Sequence, residues 1–484
     1  MTETAVETAQ PERNGVQRVT LITLTAMVVG SMVGAGVFSL PQRFATETGI
    51  YGALIAWAIA GTGMLLLAFV FQTLAVRKPA LDSGVYAYAK AGFGEYLGFF
   101  SAFGYWASAC VGNVTYWVLI SSTLGRIAPA FGEGDTWPAL LLGTVGIWAF
   151  AALVLRGVQD AAIINKIVTV AKVIPILVFI VLALFYLDVD VFLDNLGGGA
   201  ELGSLFGQVR GTMLVTVFVF LGVEGASVYS RYARRREDVG RATVLGFLGV
   251  LSIFASVTIV SYGILPRAEL AQLRQPSMAE VLQEAVGDWG AVFVSVGLIV
   301  SVLGAYLAWT LMAAEVLFVA AQDDDMPRFL RRVNRAEAPA ASLLMSTVLI
   351  QAMLFVTLIS EQAFDFALNM TSALTLIPFL LATAYALKLA VTSETYDDRP
   401  DRRTRELVVG ALATLYTAFL LSAAGPKYML VSFVIYAPGS VLFVMARREQ
   451  GRKAFGSGEL VILAVSIAGA LLGVVALVAG WITI

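Results

Sequence analysis

The chain has 484 residues, of which 58% are apolar and only 14% are Asp, Glu, Lys or Arg, and its mean hydropathy is +0.82. An average soluble protein carries about 25% charged residues, so this composition excludes an ordinary soluble fold and predicts an all-α polytopic membrane protein. The net charge of −2 gives no general attraction to nucleic acid. Because histidine is absent and Cys110 is the single cysteine, we expect no His triad, internal disulfide, metal site or other cofactor.

Residues 1–16 are polar and contain no apolar run, which predicts a disordered cytoplasmic tail. Thirteen apolar runs of about the length of a bilayer crossing follow in chain order. Their predicted bounds are 17–41, 50–76, 95–124, 137–155, 161–186, 205–230, 241–264, 288–321, 340–360, 364–391, 405–424, 428–446 and 459–482.

Positive charge tests this alternation of sides, because cytoplasmic loops of membrane proteins are enriched in Lys and Arg. With the N-terminus in the cytoplasm, twenty-five of the 32 Lys and Arg residues fall on the cytoplasmic side and six fall outside, while Lys172 lies within a span. Thirteen spans then place the C-terminus outside.

Spans one and six each contain closely spaced glycines near the predicted middle of the membrane. Residues 30–38 read GSMVGAGVF and residues 220–227 read FLGVEGAS, five spans further along the chain. Glycine-interrupted spans at matching places in two halves are typical of inverted-repeat transporters. A half-helix N-terminus can bind a carboxylate and freed carbonyls can bind an ammonium, which suits an amino acid. The alternative is that these glycines only allow close helix packing.

This pairing of spans one and six predicts the organisation of the chain. Residues 17–395 would form a ten-helix inverted-repeat transport core, built from two halves of five spans with opposite orientation. Residues 396–484 would form peripheral transmembrane helices, spans 11–13.

Ionisable residues lie within several spans, where a charge costs at least ~2.5–3.5 kcal/mol and therefore indicates function by default. Glu224 lies between the glycines of span six and is interpreted as a substrate sensor or proton carrier, with a structural ion pair as the alternative. Lys172 lies roughly 16 Å into span five and would replace a sodium ion, couple to protons or only pair helices. Glu315 is interpreted as a helix cap or lesser gate, and Asp365 is expected to be solvated near the outer surface.

Two uncharged residues also stand out within the predicted spans. Asn113 is an amide on an apolar stretch of span three and either binds substrate or bridges helices. Trp309 lies well inside span eight, where it either stacks on a substrate cation or serves as a bulky packing residue.

Once these residues are assembled, the chain resembles the amino acid–polyamine–organocation superfamily. Within it, the chain is most similar to the basic amino acid/polyamine antiporter branch, and in particular to bacterial arginine/ornithine antiporters. The resemblance extends over most of the chain from about 17 to 447, and the thirteenth span has no counterpart in the commoner twelve-span members. The matching segments include GSMVGAGVFSLP (30–41), the stretch 68–106, VGNVTYWV (111–118), FVFLGVEGASVYSRYARRREDVGRAT (218–243) and the stretch 309–334.

The resemblance implies a ten-helix inverted-repeat core with two peripheral helices, often in a homodimer. It implies that the substrate carboxylate binds at Ala35 and Gly36, and that the amino group meets carbonyls near Met32 and in 218–221. Phe218 would stack on the substrate stem. The groups that would hold the distal cation are Ser108, Asn113, Trp309 and Thr371.

The resemblance also implies which residues control access to the site. Tyr105 in span three would pair with Glu224 as a gate below the site, and Phe379 in span ten would be a further gate aromatic. Lys172 resembles the span-five lysine of proton-coupled members of the superfamily.

These features predict a secondary transporter in the bacterial cytoplasmic membrane. By alternating access it would exchange cationic amino acids, with arginine entering and ornithine leaving, and proton-coupled uptake of lysine or arginine is the alternative. We expect neither an enzyme, because no catalytic constellation is visible, nor a channel, because no filter or charged ring is visible. The expected partners are small cationic amino acids and the lipid bilayer, not nucleic acid.

Overall fold

A computed structural model describes residues 20–81, 85–157, 161–224, 236–360, 362–396 and 400–483. Within these ranges the chain forms α-helices, short 3₁₀ turns and loops, without a β-strand. The predicted tail at 1–16 and the end of predicted span six at 225–230 lie outside the described residues.

The helices follow one another in the order that the apolar runs predict. In the first half they are α1 (Leu21–Met32), α2 (Leu40–Glu47), α3 (Ile50–Arg77), α4 (Val85–Phe93), α5 (Glu95–Gly125), α6 (Trp137–Leu155), α7 (Ala161–Phe185), α8 (Val189–Asp194) and α9 (Leu205–Phe220). In the second half they are α10 (Arg236–Ser261), α11 (Arg267–Leu270), α12 (Ser277–Val286), α13 (Asp288–Gln322), α14 (Ala340–Val356), α15 (Ala363–Thr392), α16 (Arg403–Glu449) and α17 (Ser457–Val478). The 3₁₀ turns are Gly36–Ser39, Pro129–Phe131, Ala200–Leu202, Arg328–Arg331 and Pro400–Arg402.

Many of these helices are long and apolar enough to cross a bilayer. Among the described residues seven stretches meet this standard alone, and α1 and α2 meet it together as a bent pair. Each of the thirteen predicted spans contains a helix or, for spans eleven and twelve, half of α16. The prediction of an all-helical polytopic membrane protein is therefore confirmed.

Span one extends beyond its predicted end at residue 41, because α2 continues to Glu47. Spans eleven and twelve follow their predictions, because α16 consists of two helices that meet at a non-helical residue. The φ of 71° at Gly425 interrupts the regular winding and Pro426 follows, which divides α16 into two lengths suited to one crossing each.

Helix α5 lies at the centre of the structure. Nearly every residue between Tyr96 and Thr123 is buried, and the helix packs against α4, α13, α14 and α15. Its Ser, Thr and Asn side chains are therefore shielded from lipid, as polar groups in a membrane must be. By contrast, α17 packs on α16 and exposes large apolar side chains such as Val461 and Leu471.

Two short helices outside the predicted spans tie the ends of longer ones together. On the predicted cytoplasmic side, Lys90 of α4 pairs with Asp325 after α13, with 2.6 Å between Nζ and Oδ1. Burial raises the pKa of the Asp325 carboxyl, and the Lys90 ammonium opposes that rise. On the predicted outer side, Ser277 at the start of α12 donates to the Phe38 carbonyl at 3.4 Å and accepts from the Gln42 N–H at 3.2 Å.

Candidate functional site

The first span is interrupted close to its middle. Helix α1 ends at Met32, Val33 takes extended angles of φ −76° and ψ 106°, and regular winding resumes through the 3₁₀ turn that begins at Gly36. The axes on either side differ in direction by 52°. Because α1 has 12 residues and is roughly 18 Å long, the interruption falls about halfway through a crossing.

The helix of the sixth span also loses its regular winding where the sequence predicts. Helix α9 ends at Phe220, Leu221 has a ψ of 135°, and Gly222 has a φ of 103°. This positive φ is a conformation that L side chains rarely adopt, so glycine is required there. The chain beyond Glu224 up to residue 235 lies outside the described residues.

The two interruptions pack directly on each other. A Cβ added to Gly36 would lie 2.5 Å from Val219 and 2.9 Å from Phe218, and a Cβ on Gly222 would overlap the Ser31 carbonyl oxygen. The Ser31 hydroxyl donates to the Gly222 carbonyl at 3.1 Å. Gly36, one of the two predicted carboxylate-binding residues, is therefore brought to Phe218, the predicted stacking residue.

Glu224 is buried at the end of the second interruption. Its Oε1 accepts from the Tyr105 hydroxyl of α5 at 2.5 Å, and its Oε2 accepts from the Gly222 N–H at 3.0 Å. The Tyr105 oxygen also lies 3.4 Å from the Met312 sulfur on α13. Glu224 and Tyr105, which the family resemblance pairs as a gate, therefore lie in contact and join α5 to the interrupted helix.

Lys172 is buried on α7 and reaches the backbone just before the first interruption. Its Nζ donates to the Gly30 carbonyl at 3.3 Å. The ammonium thus contacts the last turn of α1, two residues before Met32. Loss of this hydrogen bond would remove one of the contacts that fix the position of α1.

Asn113 of α5 is wholly buried and presents a free acceptor. Its Nδ2 donates to the Thr310 hydroxyl on α13 at 3.2 Å, while its Oδ1 has no hydrogen-bond partner in the described part of the chain. A buried acceptor without a donor is unfavourable, and a cation that reached it would supply the missing donor. Asn113 therefore bridges α5 and α13, while its role as a binding group stays a prediction.

Ser108 and Thr371 lie together between α5 and α15. The Ser108 hydroxyl donates to the Thr371 carbonyl at 2.9 Å and also contacts the Thr375 hydroxyl. The Thr371 hydroxyl donates to Ala367 in its own helix at 2.7 Å. Both hydroxyls therefore have helical carbonyl partners, and a substrate would use their remaining acceptor capacity.

Trp309 and Phe379 are less closely connected to the interruptions. Trp309 is partly exposed and packs against the apolar core, and within the described ranges it makes no ring contact or hydrogen bond. Its neighbour Thr310 is the residue of α13 that accepts the hydrogen bond from Asn113. Phe379 is fully buried and packs edge-on against Phe71 of α3, with ring centroids 5.6 Å apart.

The expectation that Asp365 is solvated is wrong. Its carboxylate pairs with Arg43 of α2 at 2.6 Å, and its side chain is only 16% exposed. The Arg43 guanidinium also donates to Asn369 at 3.5 Å, and Asn369 donates to the Tyr428 hydroxyl at 3.0 Å. Asp365 is mostly covered because Arg43, on the second half of the interrupted span, reaches the start of α15.

Sequence reasoning missed two residues close to the site, Thr310 and Tyr116. The position that a Cβ would take on Gly34 lies 3.6 Å from the Tyr116 hydroxyl oxygen, so this tyrosine borders the first interruption. A signal existed for Tyr116, because it lies three residues after Asn113 and shares its helix face. No such signal existed for Thr310, because the side of α13 that meets α5 depends on tertiary packing.

The many apolar helices, the buried polar face of α5 and the contact between two interrupted spans define a multi-pass membrane protein that shields polar backbone from lipid. Comparison of its sequence with known families assigns it to one family of membrane proteins. Residues 19–434 match the amino acid permease family, and the chain belongs to that family. The family resemblance stated from the motifs is thereby confirmed.

Individual relatives align over nearly the whole chain. The chain is 48% identical over 476 residues to an arginine/ornithine antiporter of Pseudomonas aeruginosa, which covers 97% of this chain and 99% of the relative. It is 36% identical over 478 residues to an arginine/ornithine antiporter of Latilactobacillus sakei, with 98% and 100% covered. It is 40% identical over 482 residues to an L-lysine transport protein of Corynebacterium glutamicum, with 96% and 95% covered.

Proposed function

We propose that this protein exchanges cationic amino acids across the bacterial cytoplasmic membrane by alternating access, with arginine entering and ornithine leaving. The observation that carries the proposal is the contact of the two interrupted helices, where Gly36 packs on Phe218 beside the buried Glu224. The similarity to arginine/ornithine antiporters over nearly the full chain supports the choice of substrates.

The amino acid head group would bind at the first interruption. The N–H groups around Ala35 and Gly36 are at the start of a half-helix, where partial positive charge favours a carboxylate. Carbonyls near Met32 and in 218–221 would accept hydrogen bonds from the α-ammonium. The Phe218 ring, which lies against Gly36, would pack on the aliphatic stem.

Neutral groups would hold the distal cation of the substrate. The free Asn113 Oδ1 would accept a hydrogen bond from a guanidinium or ammonium. Ser108 and Thr371 would add acceptor oxygens, and Trp309 would add a cation–π contact once the site closes. Arginine and ornithine both satisfy such a set, and binding without a carboxylate partner at this end favours release on the far side.

Glu224 and Tyr105 would couple occupancy to the change of access. Their hydrogen bond joins α5 to the interrupted helix α9, so breaking it frees one helix to move relative to the other. A bound cation changes the electrostatic field at the carboxylate. An exchanger needs this energy to lower the barrier of the loaded carrier while the empty carrier stays slow. Phe379 against Phe71 would form a further closure.

Proton-coupled uptake of lysine or arginine is the second candidate function. It is favoured by the Lys172 amine on the Gly30 carbonyl and by the 40% identity to an L-lysine transport protein. Loss of a proton from this amine would weaken its hold on α1, which is a means of coupling transport to protons.

The proposed topology and domain division are those that the sequence predicts. The N-terminus would lie in the cytoplasm and the C-terminus outside. Residues 17–395 would form the inverted-repeat core and residues 396–484 the peripheral helices.

A counterflow assay in proteoliposomes tests the exchange. Vesicles are loaded with ornithine, lysine, agmatine or buffer alone, and the entry of radiolabelled arginine is followed. We expect ornithine-loaded vesicles to take up arginine much faster than vesicles loaded with buffer. Equal uptake into empty and loaded vesicles contradicts exchange, and uptake into empty vesicles that follows an imposed membrane potential supports the proton-coupled alternative.

A further inference from the structure

Tyr116 lies on the face of α5 that borders the first interruption. Its hydroxyl oxygen is 3.6 Å from the position that a Cβ would take on Gly34, the residue before Ala35. The side chain is only 5% exposed, so the hydroxyl is held among protein atoms at this point.

The Tyr116 hydroxyl has no hydrogen-bond partner within the described residues, unlike several other buried tyrosines. Tyr105 donates to Glu224, Tyr262 donates to the Thr48 carbonyl at 2.6 Å, and Tyr436 donates to the Leu374 carbonyl at 3.3 Å. A hydroxyl with an unused donor next to a binding site is suited to a ligand.

The position of the hydroxyl determines which part of a ligand it would meet. Gly34 precedes the 3₁₀ turn that begins at Gly36 and leads into α2, and the N-terminus of this half-helix favours negative charge. A phenol donates a strong, charge-assisted hydrogen bond to a carboxylate. The hydroxyl and the freed N–H groups would therefore approach the same anionic group from two sides.

We propose that the Tyr116 hydroxyl donates a hydrogen bond to the α-carboxylate of the substrate and so makes the site prefer amino acids over their decarboxylated amines, an inference that rests on the proposed function. The Oδ1 of Asn113, one helical turn away on the same face, would meet the opposite charge. Tyr116 would then bind the carboxylate end of the ligand and Asn113 its distal cation.

Tyr116→Phe tests this role, because it removes the hydroxyl and keeps the ring. Inhibition of radiolabelled arginine exchange is measured with arginine, L-argininamide and agmatine, which carry a carboxylate, a neutral amide and no such group. We expect the variant to bind arginine about ten-fold or more weakly, since hydrogen bonds to charged groups are worth at least that factor. Binding of argininamide and agmatine is expected to change by less than about two-fold.

Tyr416→Phe is the matched control. Tyr416 is also buried, its hydroxyl also lacks a partner in the described part of the chain, and its ring packs on Gly63 of α3, away from both interruptions. We expect all three ligands to bind this variant as they bind the wild type.

A second variant covers the case in which Tyr116→Phe does not fold. Gly34→Ala would place a methyl group in ordinary van der Waals contact with the hydroxyl, shielding it from a carboxylate. The same arginine-selective loss is expected. The loss of arginine-dependent thermal stabilisation, with the stabilisation by argininamide retained, provides a readout independent of transport.

The outcomes separate the two proposals. If the wild type exchanges none of the three ligands, the proposed function fails and this inference fails with it. If the wild type exchanges arginine and the variants weaken all ligands equally or none of them, only the role of Tyr116 is overturned. An equal loss for arginine and agmatine would mean that the hydroxyl meets the ammonium group that both ligands share.

Discussion

At the scale of single residues, the Glu224 carboxylate accepts hydrogen bonds from the Tyr105 hydroxyl on Oε1 and from the Gly222 N–H on Oε2. In Glu224→Gln only one side-chain oxygen still accepts, so one of these charge-assisted hydrogen bonds is lost together with the negative charge. We expect arginine binding within about two-fold of wild type and counterflow slowed about ten-fold, because a hydrogen bond to a charged group is worth at least ~1.5 kcal/mol. Equilibrium binding and counterflow on the same preparation check this.

Glu315→Gln is the control for this prediction. Glu315 lies on α13 within a predicted span, yet its side chain is exposed and has no hydrogen-bond or ion-pair partner among the described residues. Its neutralisation is expected to leave both binding and exchange unchanged. Wild-type counterflow of Glu224→Gln at every pH would remove Glu224 from the coupling mechanism.

Individual contacts could be predicted from sequence only where a motif fixes them. Tyr105 and Glu224 were paired through the family resemblance, and they lie in contact. Thr310 was not found, because the rotation of α13 about its own axis decides whether residue 309 or residue 310 faces Asn113. Asp365 was misjudged because its solvation depends on α2, which covers it from 322 positions away in the chain.

At the scale of elements, the two interrupted helices fit together only because glycines allow close approach. Gly222→Ala would put a side chain at a φ of 103° and against the Ser31 carbonyl oxygen. Strain of this kind costs roughly 1–3 kcal/mol before the overlap is counted. We therefore expect a lower melting temperature and a loss of folded protein, measured by thermal unfolding in detergent.

Gly249→Ala gives the comparison for that measurement. Gly249 lies in α10, has no atom near its Cβ position and is exposed. Because alanine stabilises a helix by up to about 1 kcal/mol over glycine, this variant is expected to melt at or slightly above the wild-type temperature. If the two variants melt alike, the contact between the interruptions is not required for stability.

A second element-scale contact is the ion pair that joins α2 to α15. Arg43 and Asp365 are both mostly buried, and removing one partner from such a pair leaves an uncompensated charge at a cost of about 3–5 kcal/mol. Asp365→Asn is therefore expected to weaken the contact between α2 and α15 and to open the predicted outer side. An Ala35→Cys reporter should react at least ten-fold faster with a membrane-impermeant thiol reagent in this background.

The only native cysteine, Cys110, is buried, which keeps the background of this labelling low. Glu201→Gln is the control, because Glu201 pairs with Arg267 while 63% exposed, and exposed pairs are worth at most about 1 kcal/mol. An unchanged labelling rate in Asp365→Asn would show that the ion pair does not hold the outer side closed.

The sequence pattern was most informative about elements. Each apolar run contains a helix, and both glycine pairs lie at an interruption. Both patterns are reliable because lipid favours long apolar helices and penalises unwound backbone elsewhere. Helices α4 and α12 were not anticipated. They are too short and mixed in polarity to give a membrane signal, and contacts such as Lys90 with Asp325 hold them only in the folded protein.

At the scale of the whole molecule, the number of crossings sets the side on which the chain ends. Helix α16 is long enough for two crossings and is interrupted at Gly425, and α17 adds one of 22 residues with a largely exposed apolar surface. Thirteen crossings from a cytoplasmic N-terminus place the C-terminus outside. We expect a C-terminal epitope tag to be accessible in intact cells and an N-terminal tag only after permeabilisation.

A shortened chain makes this topology test internally controlled. Ending the chain at Lys453, before α17, removes one crossing and should move a C-terminal tag to the cytoplasmic side, next to the Arg-rich end of α16. This reversal follows from parity alone and does not depend on where α17 packs. Tags on the same side in both chains would mean that α17 does not cross the membrane, and the peripheral region would then contain two spans.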